Sequence, residues 1–304
     1  MIRVGTCSWT EKTLIQSGEF YPQNVTSAEG RLRYYASHFD TVEVDSVYYA
    51  IPDQKTAWLW DVRTPAGFTF HIKAYGALTG HAIDPKTLPK DLQMLSMISP
   101  GKRSIYVKDE TLLGLMASRL RDALEPLYRS GKVGLMVFQY PPWFTYGTRN
   151  MDYILKCKEW MNDLSVAVEF RHGSWLFPRR QRDVLRFLDE NGVNYVSADE
   201  PQYGDLSTIP FVPAVTGGTA YFRLHGRNAE NWLKKGVETS LRYAYSYSAK
   251  ELGEFVPCIE ETAARSETTY VMLNNCHRGF AVQNAARMKE LLRVHAPRPA
   301  FDLP

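Results

Sequence analysis

Eight short runs along the chain either alternate apolar and polar positions or are nearly continuous apolar stretches. They are "IRVGTC" (2–7), "TVEVDS" (41–46), "FTFHIK" (68–73), "VGLMVFQ" (133–139), "VAVEFR" (166–171), "NYVSAD" (194–199), "AYFRLH" (220–225) and "TYVMLN" (269–274). Runs of this length, rich in β-branched and aromatic residues, predict β-strands. Between most of them the apolar spacing changes to a helical period, as in "SAEGRLRYYASHF" (27–39), "DETLLGLMASRLRDALEPLYRS" (109–130) and "PRRQRDVLRFLDENG" (178–192). The last of these has Pro178 near its start and Gly192 just past its end, as helix boundaries prefer. Strand–helix alternation predicts parallel βαβ units, and eight units in 304 residues fit a closed barrel better than an open sheet. Residues 74–132 leave room for an added helical segment around "PKTLPKDLQMLSMIS" (85–99), whereas the proline-bearing residues 200–218 predict a loop without a full helix. No composition shift marks a boundary. The prediction is therefore a single-domain α/β (β/α)8 TIM-type barrel over residues 1–304, with an extra helical segment between the third and fourth strands.

In a barrel the apolar face of each strand packs under the helices and the other face looks inward. By alternation the inward set is Thr41, Glu43 and Asp45 on the second strand and Thr69, His71 and Lys73 on the third. The fifth contributes Glu169 and Arg171, the sixth Tyr195, Ser197 and Asp199, and the seventh Tyr221, Arg223 and His225. Charge concentrates toward the C-terminal end of each run, the end at which barrel active sites lie.

Composition narrows the picture without redirecting it. With 44% hydrophobic and 23% charged residues the chain is an ordinary globular sequence, and a net charge of +3 is too small to imply a nucleic-acid or membrane surface. No apolar run approaches the ~20 residues that span a bilayer. No secretory signal is visible in "MIRVGTCSW", so a cytoplasmic location is expected. Cys7, Cys157, Cys258 and Cys276 are scattered and form no metal-finger pair. Cys7 and Cys276 end the first and last strands, neighbours in a closed barrel, so a redox pair is conceivable, although two free buried thiols are the commoner outcome.

Taken together, "GTCSW", "GEFYP", "FDTVEVDSVYYAIP", "FTFHIK", "GLMVFQYPPWF", "VEFRHGSW", "YFRLHGRN" and "VMLNNCHRGFAVQNA" resemble the domain of unknown function 72 family over nearly the full length. That resemblance implies a TIM-type barrel and brings no established activity. Against the family pattern, Cys7-Ser8 stands where Ser-Gly is common, and Asp45 where Asn is common.

The predicted ring of inward charges is the candidate site. Isolated buried charge is strongly disfavoured, so these groups must pair with each other, face water or bind something charged. Barrels usually fill with apolar layers, which weighs against a purely structural ring. Three chemistries compete. Glu43 and Glu169 would work as acid and base across a sugar-like substrate, with His225 relaying a proton. Lys73, Arg171 and Arg223 would clamp a phosphate or carboxylate. Glu43, Glu169, Asp199 and His225 would hold a divalent metal, the least favoured of the three because three cations interleave with them and no H-x-H or H-E-x-x-H spacing occurs. The sequence requires no cofactor.

Further substrate contacts are expected from His172, Gln139 and Asp199, and from Asn274 and Asn275 of "LNNCHRG". A cis proline in "QYPPW" (139–143) would place Gln139. Aromatic residues follow several strand ends (Trp9, Tyr48, Tyr49, Trp143, Trp175, Tyr203, Trp232), and of these Trp9, Tyr49 and Trp175 are expected over the mouth. The expected partner is a small polar substrate, anionic in the first place because Arg223 and His225 with "LNNCHRG" would lie where barrels often place a phosphate site, and otherwise sugar-like, handled by a hydrolase or isomerase. The alternatives are a nucleic-acid-processing barrel, using the cations for phosphates and the aromatics for bases, and a non-catalytic ligand-binding barrel.

Overall fold

A computed structural model of the chain describes residues 1–95 and 103–294. Eight strands, β1 (Ile2–Cys7), β2 (Thr41–Val44), β3 (Thr69–Lys73), β4 (Val133–Gln139), β5 (Val166–Glu169), β6 (Asn194–Asp199), β7 (Thr219–Leu224) and β8 (Thr268–Leu273), pair in sequence order and close as β8 meets β1. Every neighbouring pair is parallel. This is the predicted (β/α)8 barrel.

The helices lie outside it: α1 (Lys12–Ser17), α2 (Ala28–His38), α3 (Gln54–Val62), α4 (Lys90–Leu95), α5 (Glu110–Arg129), α6 (Thr148–Met161), α7 (Gln181–Glu190), α8 (Ala229–Trp232), α9 (Thr239–Arg242), α10 (Ala249–Ala263) and α11 (Phe280–Leu291). Several starts are written locally. Ser27, Asp53 and Asp109 accept from the backbone N–H of Gly30, Thr56 and Leu112, satisfying donors that a helix leaves open. Ser248 and Glu251 form a reciprocal capping box at α10. The α7 helix begins three residues beyond Pro178 and ends before Gly192, whose φ of 58° is the left-handed turn glycine permits. The added segment between β3 and β4 holds α4; residues 96–99 of the expected stretch lie outside the described residues.

Between β6 and β7 the chain makes no helix, as predicted. The loop is pinned instead by side chains: the Ile209 N–H donates to Glu200 Oε1 at 2.8 Å, and Gln202 Nε2 donates to the carbonyls of Glu200 and Ile209.

β6 faces the opposite way from the prediction. Val196 packs inside the barrel with Leu135, Val137, Ala167 and Met272, so Tyr195, Ser197 and Asp199 point outward rather than into the ring. Asp199 pairs in register with Leu224, on the outer face of β7. Under a helix an outward aspartate would be stranded. Here the covering segments supply polar partners: Arg227 donates to both Asp199 oxygens at 3.0–3.1 Å and the Tyr247 hydroxyl donates at 2.6 Å, while Ser197 Oγ accepts from the Ala214 N–H.

Two aromatic expectations are also corrected. Trp175 is wholly buried on the outer side of β5, stacked on Phe170 at 4.1 Å and 7°, with its indole N–H donating to the Phe144 carbonyl. Trp9 is buried edge-on to Trp60 and Phe70. Both follow strand ends but fold back onto the apolar layer, because the two ring systems bury more surface there than over an open mouth.

Deeper in the barrel, His71 sits edge-on to Tyr221 and Tyr270, at 4.9 and 4.2 Å, and its Nδ1 accepts from the Leu135 N–H. Burial pushes its pKa down to about 3, so it is a neutral acceptor filling the waist. Gly134 makes this fit: a Cβ there would lie 2.6 Å from His71 Nδ1.

Candidate functional site

Above that waist, at the C-terminal ends of the strands, lies a continuous chain of ion pairs. Arg223 on β7 is its centre and has no exposed surface. One arm bonds Glu43 on β2 at 2.7 Å; the other bonds Glu169 on β5 and also donates to Gln139 at 3.1 Å. Arg171 continues the chain, pairing with Glu169 and with Glu200 at 2.8 Å and donating to Gln139. Five groups from four strand ends thus run Glu43, Arg223, Glu169, Arg171, Glu200. The outward turn of β6 explains Glu200: Val196, Ala198 and Glu200 share the inward face, so the acid on this side is Glu200 and not Asp199. Alternation carries the signal for Glu200, but only once the face of β6 is known.

His225 completes the centre. The Asn274 amide lies 2.7 Å from His225 Nδ1, while Nε2 lies 3.0 Å from Arg171 Nη2 and 3.1 Å from Glu169 Oε1. Burial and the adjacent Arg171 push this histidine down to about 3, so it is neutral. The hydroxyl of Tyr221 donates to the second oxygen of Glu43 at 2.8 Å, a contact that composition alone gave no reason to seek.

The three carboxylates differ in proton affinity. Burial alone would raise Glu169, but Arg171, Arg223 and His225 together hold it well below the usual carboxylate range. Glu43 is pushed up to about 7 by burial, with Arg223 offsetting only part of the effect and Asp45 adding to it. Glu200 rises to about 7 for the same first cause, offset in part by Arg171. Three carboxylates face two guanidinium groups, so a proton at either end of the chain removes the excess charge.

Glu43, Glu169, Arg223 and His225 have no exposed surface, and the opening above them begins at their neighbours Asp45 and Asn274. A cavity of 460 Å³ opens over β1, β2, β3 and β8, with Asp45, Lys73 and Asn274 on its floor and Tyr49 and Tyr243 on its walls. Asp45 lies 3.7 Å from Lys73 and 3.8 Å from Arg223, linking the floor to the buried chain. Burial works against the Lys73 charge, but Asp45 outweighs it and raises the pKa. Hydroxyls from Ser8, Thr10, Ser46, Thr239 and Ser240 complete the lining, with Glu11 and Glu238 at its edge. Tyr243 and Trp232 screen the other side, each ring 6.0 Å from that of His225. A larger cavity, 810 Å³ between α2 and α11, touches none of these groups.

Of the residues expected at the site, Glu43, Glu169, Arg171, Arg223, His225, Gln139 and Asn274 come together in the ring, and Lys73 and Tyr49 line the cavity above it. Glu169 itself has no exposed surface and is enclosed by its cationic partners. His172 turns into its own loop, bonding Ser174, and Asn275 ties the Tyr245 carbonyl to Asn284. None of the described peptide bonds is cis, so Gln139 is placed by the strand end and its two arginine donors. Cys7 and Cys276 are both free, and the Cys276 thiol donates to the Cys7 carbonyl at 3.2 Å. Among the described residues no group of three or more His, Cys, Asp or Glu side chains is arranged to hold a metal, since the arginines stand between the carboxylates. No described helix is long and apolar enough to cross a membrane.

Comparison with known proteins agrees with this architecture. Residues 3–302 match the family described as "Protein of unknown function DUF72". The chain is 31% identical to UPF0759 protein YunF of Bacillus subtilis (strain 168), with 98% of each chain covered. Among solved structures, a DUF72 family protein from Enterococcus faecalis V583 superposes with a TM-score of 0.77 at 28% identity, covering 97% of this chain and 96% of that one. One from Thermotoga maritima MSB8 gives 0.76 at 28%, covering 96% and 99%. The chain is a member of the DUF72 family.

Proposed function

We propose that this barrel is an acid–base enzyme acting on a small, polar, sugar-like substrate held in the mouth cavity. The observation that carries the reading is the contrast between two carboxylates bridged by one guanidinium: Glu43 is held at about 7 and Glu169 far lower. A pair whose environments push proton affinities apart is the usual arrangement for acid–base work near neutral pH. Glu43 is the proton-exchanging group, Glu169 and Arg223 its fixed electrostatic partners, and Lys73, Asp45 and Asn274 the contacts for substrate. The lining favours the sugar-like over the anionic substrate, since Glu11, Asp45 and Glu238 face a single cation, Lys73. Hydroxyls and carboxylates accept hydrogen bonds from a polyol, and the tyrosine walls receive its apolar face. The same carboxylates disfavour a phosphate backbone, so the nucleic-acid reading gains no support from the cavity.

The test is a screen of aryl glycosides for hydrolysis and of free aldoses for solvent deuterium uptake by NMR, which detects isomerisation. Turnover with an alkaline limb near pH 7, reduced at least about 100-fold by Glu43→Gln, is the expected result. Turnover unchanged in Glu43→Gln, or none with either substrate class, overturns the proposal.

A further inference from the structure

We infer that the mouth cavity is one end of a longer binding cleft, in which a rail of aromatic rings running from Tyr49 to Trp143 receives successive units of a neutral oligosaccharide. This rests on the sugar-like reading of the cavity and extends it from one ring to a chain.

The rail is built from three separate segments of the sequence. Tyr49 stands on the cavity wall and is 61% exposed. Its ring meets that of Tyr48 edge-on at 5.0 Å, Tyr48 meets His81 edge-on at 5.2 Å, and His81 meets Trp143 edge-on at 5.7 Å, so the faces turn along the line. Trp143 is 60% exposed. The line therefore starts and ends on large aromatic faces open to water, while its middle is packed. Tyr48 is held beneath Lys73, whose Nζ is 4.9 Å from the ring centre, and His81 is fixed by a 2.8 Å bond between Nδ1 and Thr79 Oγ1. Held rings of this kind lose little freedom when a ligand stacks on them.

The contrast with the chain's other tryptophans bears on purpose. Trp9, Trp60, Trp175 and Trp232 are all nine-tenths buried or more and Trp160 is half-buried, whereas Trp58 on α3 is 50% exposed and Trp143 more so. Leaving Trp143 open at the end of this line of packed rings forgoes the burial of a large apolar side chain.

The chemistry of the rail selects the ligand. A sugar unit has an apolar C–H face that stacks on an aromatic ring and a hydroxyl edge that bonds to polar groups. The cavity at the Tyr49 end offers that second half, in its hydroxyls and carboxylates. Single-stranded nucleic acid would also stack on such rings, but it would bring phosphates toward Asp45, Glu11 and Glu238. His81 adds no compensating charge: burial and the nearby Lys73 push it down to about 4, so it is neutral at neutral pH.

The experiment follows the quenching of tryptophan fluorescence by cellohexaose, maltohexaose, chitohexaose and the three corresponding disaccharides. At least one hexasaccharide should bind about tenfold more tightly than its disaccharide. Trp143→Ala should remove that advantage while leaving the disaccharide affinity unchanged, and Trp143→Phe should restore most of it; calorimetric titration supplies the affinities once the indole is removed. Equal affinity for long and short ligands overturns the rail and leaves the cavity reading standing. No binding by any of the six sugars overturns both. Binding of a twelve-nucleotide single-stranded DNA, falling steeply with salt while the sugars give no response, overturns the carbohydrate assignment in favour of nucleic acid.

Discussion

Two adjacent layers inside the barrel are stabilised in different ways. The waist is filled, around the neutral His71, by Leu135, Val137, Ala167, Val196 and Met272, apolar side chains that each gain by leaving water whatever their neighbours do. The mouth is filled by Glu43, Glu169, Glu200, Arg171, Arg223 and His225, all at least 93% buried, and each is tolerable only because the others are present. The waist is a sum of independent contributions. The mouth is a mutual one, and replacing it with hydrocarbon would be the simpler route to stability. The proposed acid–base function rests on this layer.

The comparison is broken most severely at Arg223. Arg223→Met leaves Glu43 and Glu169 buried with one shared partner gone, and a loss of about 5 kcal/mol is expected, at the upper end for a broken buried pair. Chemical denaturation reads this directly. A loss under about 1 kcal/mol would mean that water reaches both carboxylates and that the mouth is not a closed network. The waist should respond less: Met272→Ala removes a buried side chain at about 3 kcal/mol, with no change in the pH dependence of stability. Coupling separates the layers further. Leu135→Ala, on a strand that does not neighbour β7, and Arg223→Met should be nearly additive, whereas Glu43→Gln should recover part of the Arg223→Met loss because it removes one of the stranded charges.

The pH profile sharpens the contrast at a smaller scale. Glu43 and Glu200 are held at about 7 in the folded chain against an ordinary carboxyl value of 4.5, so between these values the folded state carries protons that the unfolded state has lost. Their contribution is complete below pH 4.5 and disappears as pH rises through 7. His71 and His225, near 3, and His81, near 4, work in the opposite direction. The unfolded histidines take up protons below 6.5 and the folded ones do not, so stability is lost as pH falls. The depressed Glu169 adds to that acid-side loss. Stability should therefore peak near pH 6.5 and fall by about 1–2 kcal/mol by pH 8. The double variant Glu43→Gln, Glu200→Gln should flatten the alkaline side, as thermal unfolding across that range would show. A decline that persists in the double variant would place its origin outside the ring.

Most of this architecture is legible in the sequence because strand alternation and helix caps are local. Eight runs, their order, and the inward side of β2, β3, β5 and β7 follow from period-two patterning alone. The mouth is readable for the same reason, since Glu43, Glu169 and Arg223 stand on strands whose opposite face is plainly apolar. β6 is where the rule fails. "NYVSAD" has an apolar set and a polar set, and the assumption that the apolar one faces outward breaks down because a loop and the Arg227–Tyr247 segment, beside α7, give the polar set partners on the outer face. Which element covers a strand is a tertiary fact, and it decided between Asp199 and Glu200. The tryptophans mark the same limit. Trp175 and Trp143 both follow strand ends, yet one stacks on Phe170 and the other stays open to water, and nothing within a few residues of either distinguishes them.

The smallest expected effect is also the most local. Among the described residues Asp45 is the acid that touches both the cavity and the buried chain, and its side chain is 26% exposed. Removing its charge should alter stability by less than about 1 kcal/mol, as for most partly exposed pairs. Its electrostatic effect is larger than its structural one. Asp45 disfavours a second negative charge on Glu43, so Asp45→Asn should lower the Glu43 value from about 7 and move the alkaline decline of stability to lower pH. The same substitution takes away the attraction that outweighs burial at Lys73, so the lysine value should fall. NMR titration of the glutamate carboxyl carbons and the lysine Nζ resonance would follow both groups in one sample. A downward shift at both ties the floor of the cavity to the buried network as a single electrostatic unit. A shift at Lys73 with none at Glu43 would separate them, leaving the mouth a closed structural layer beneath a cavity that does not sense it.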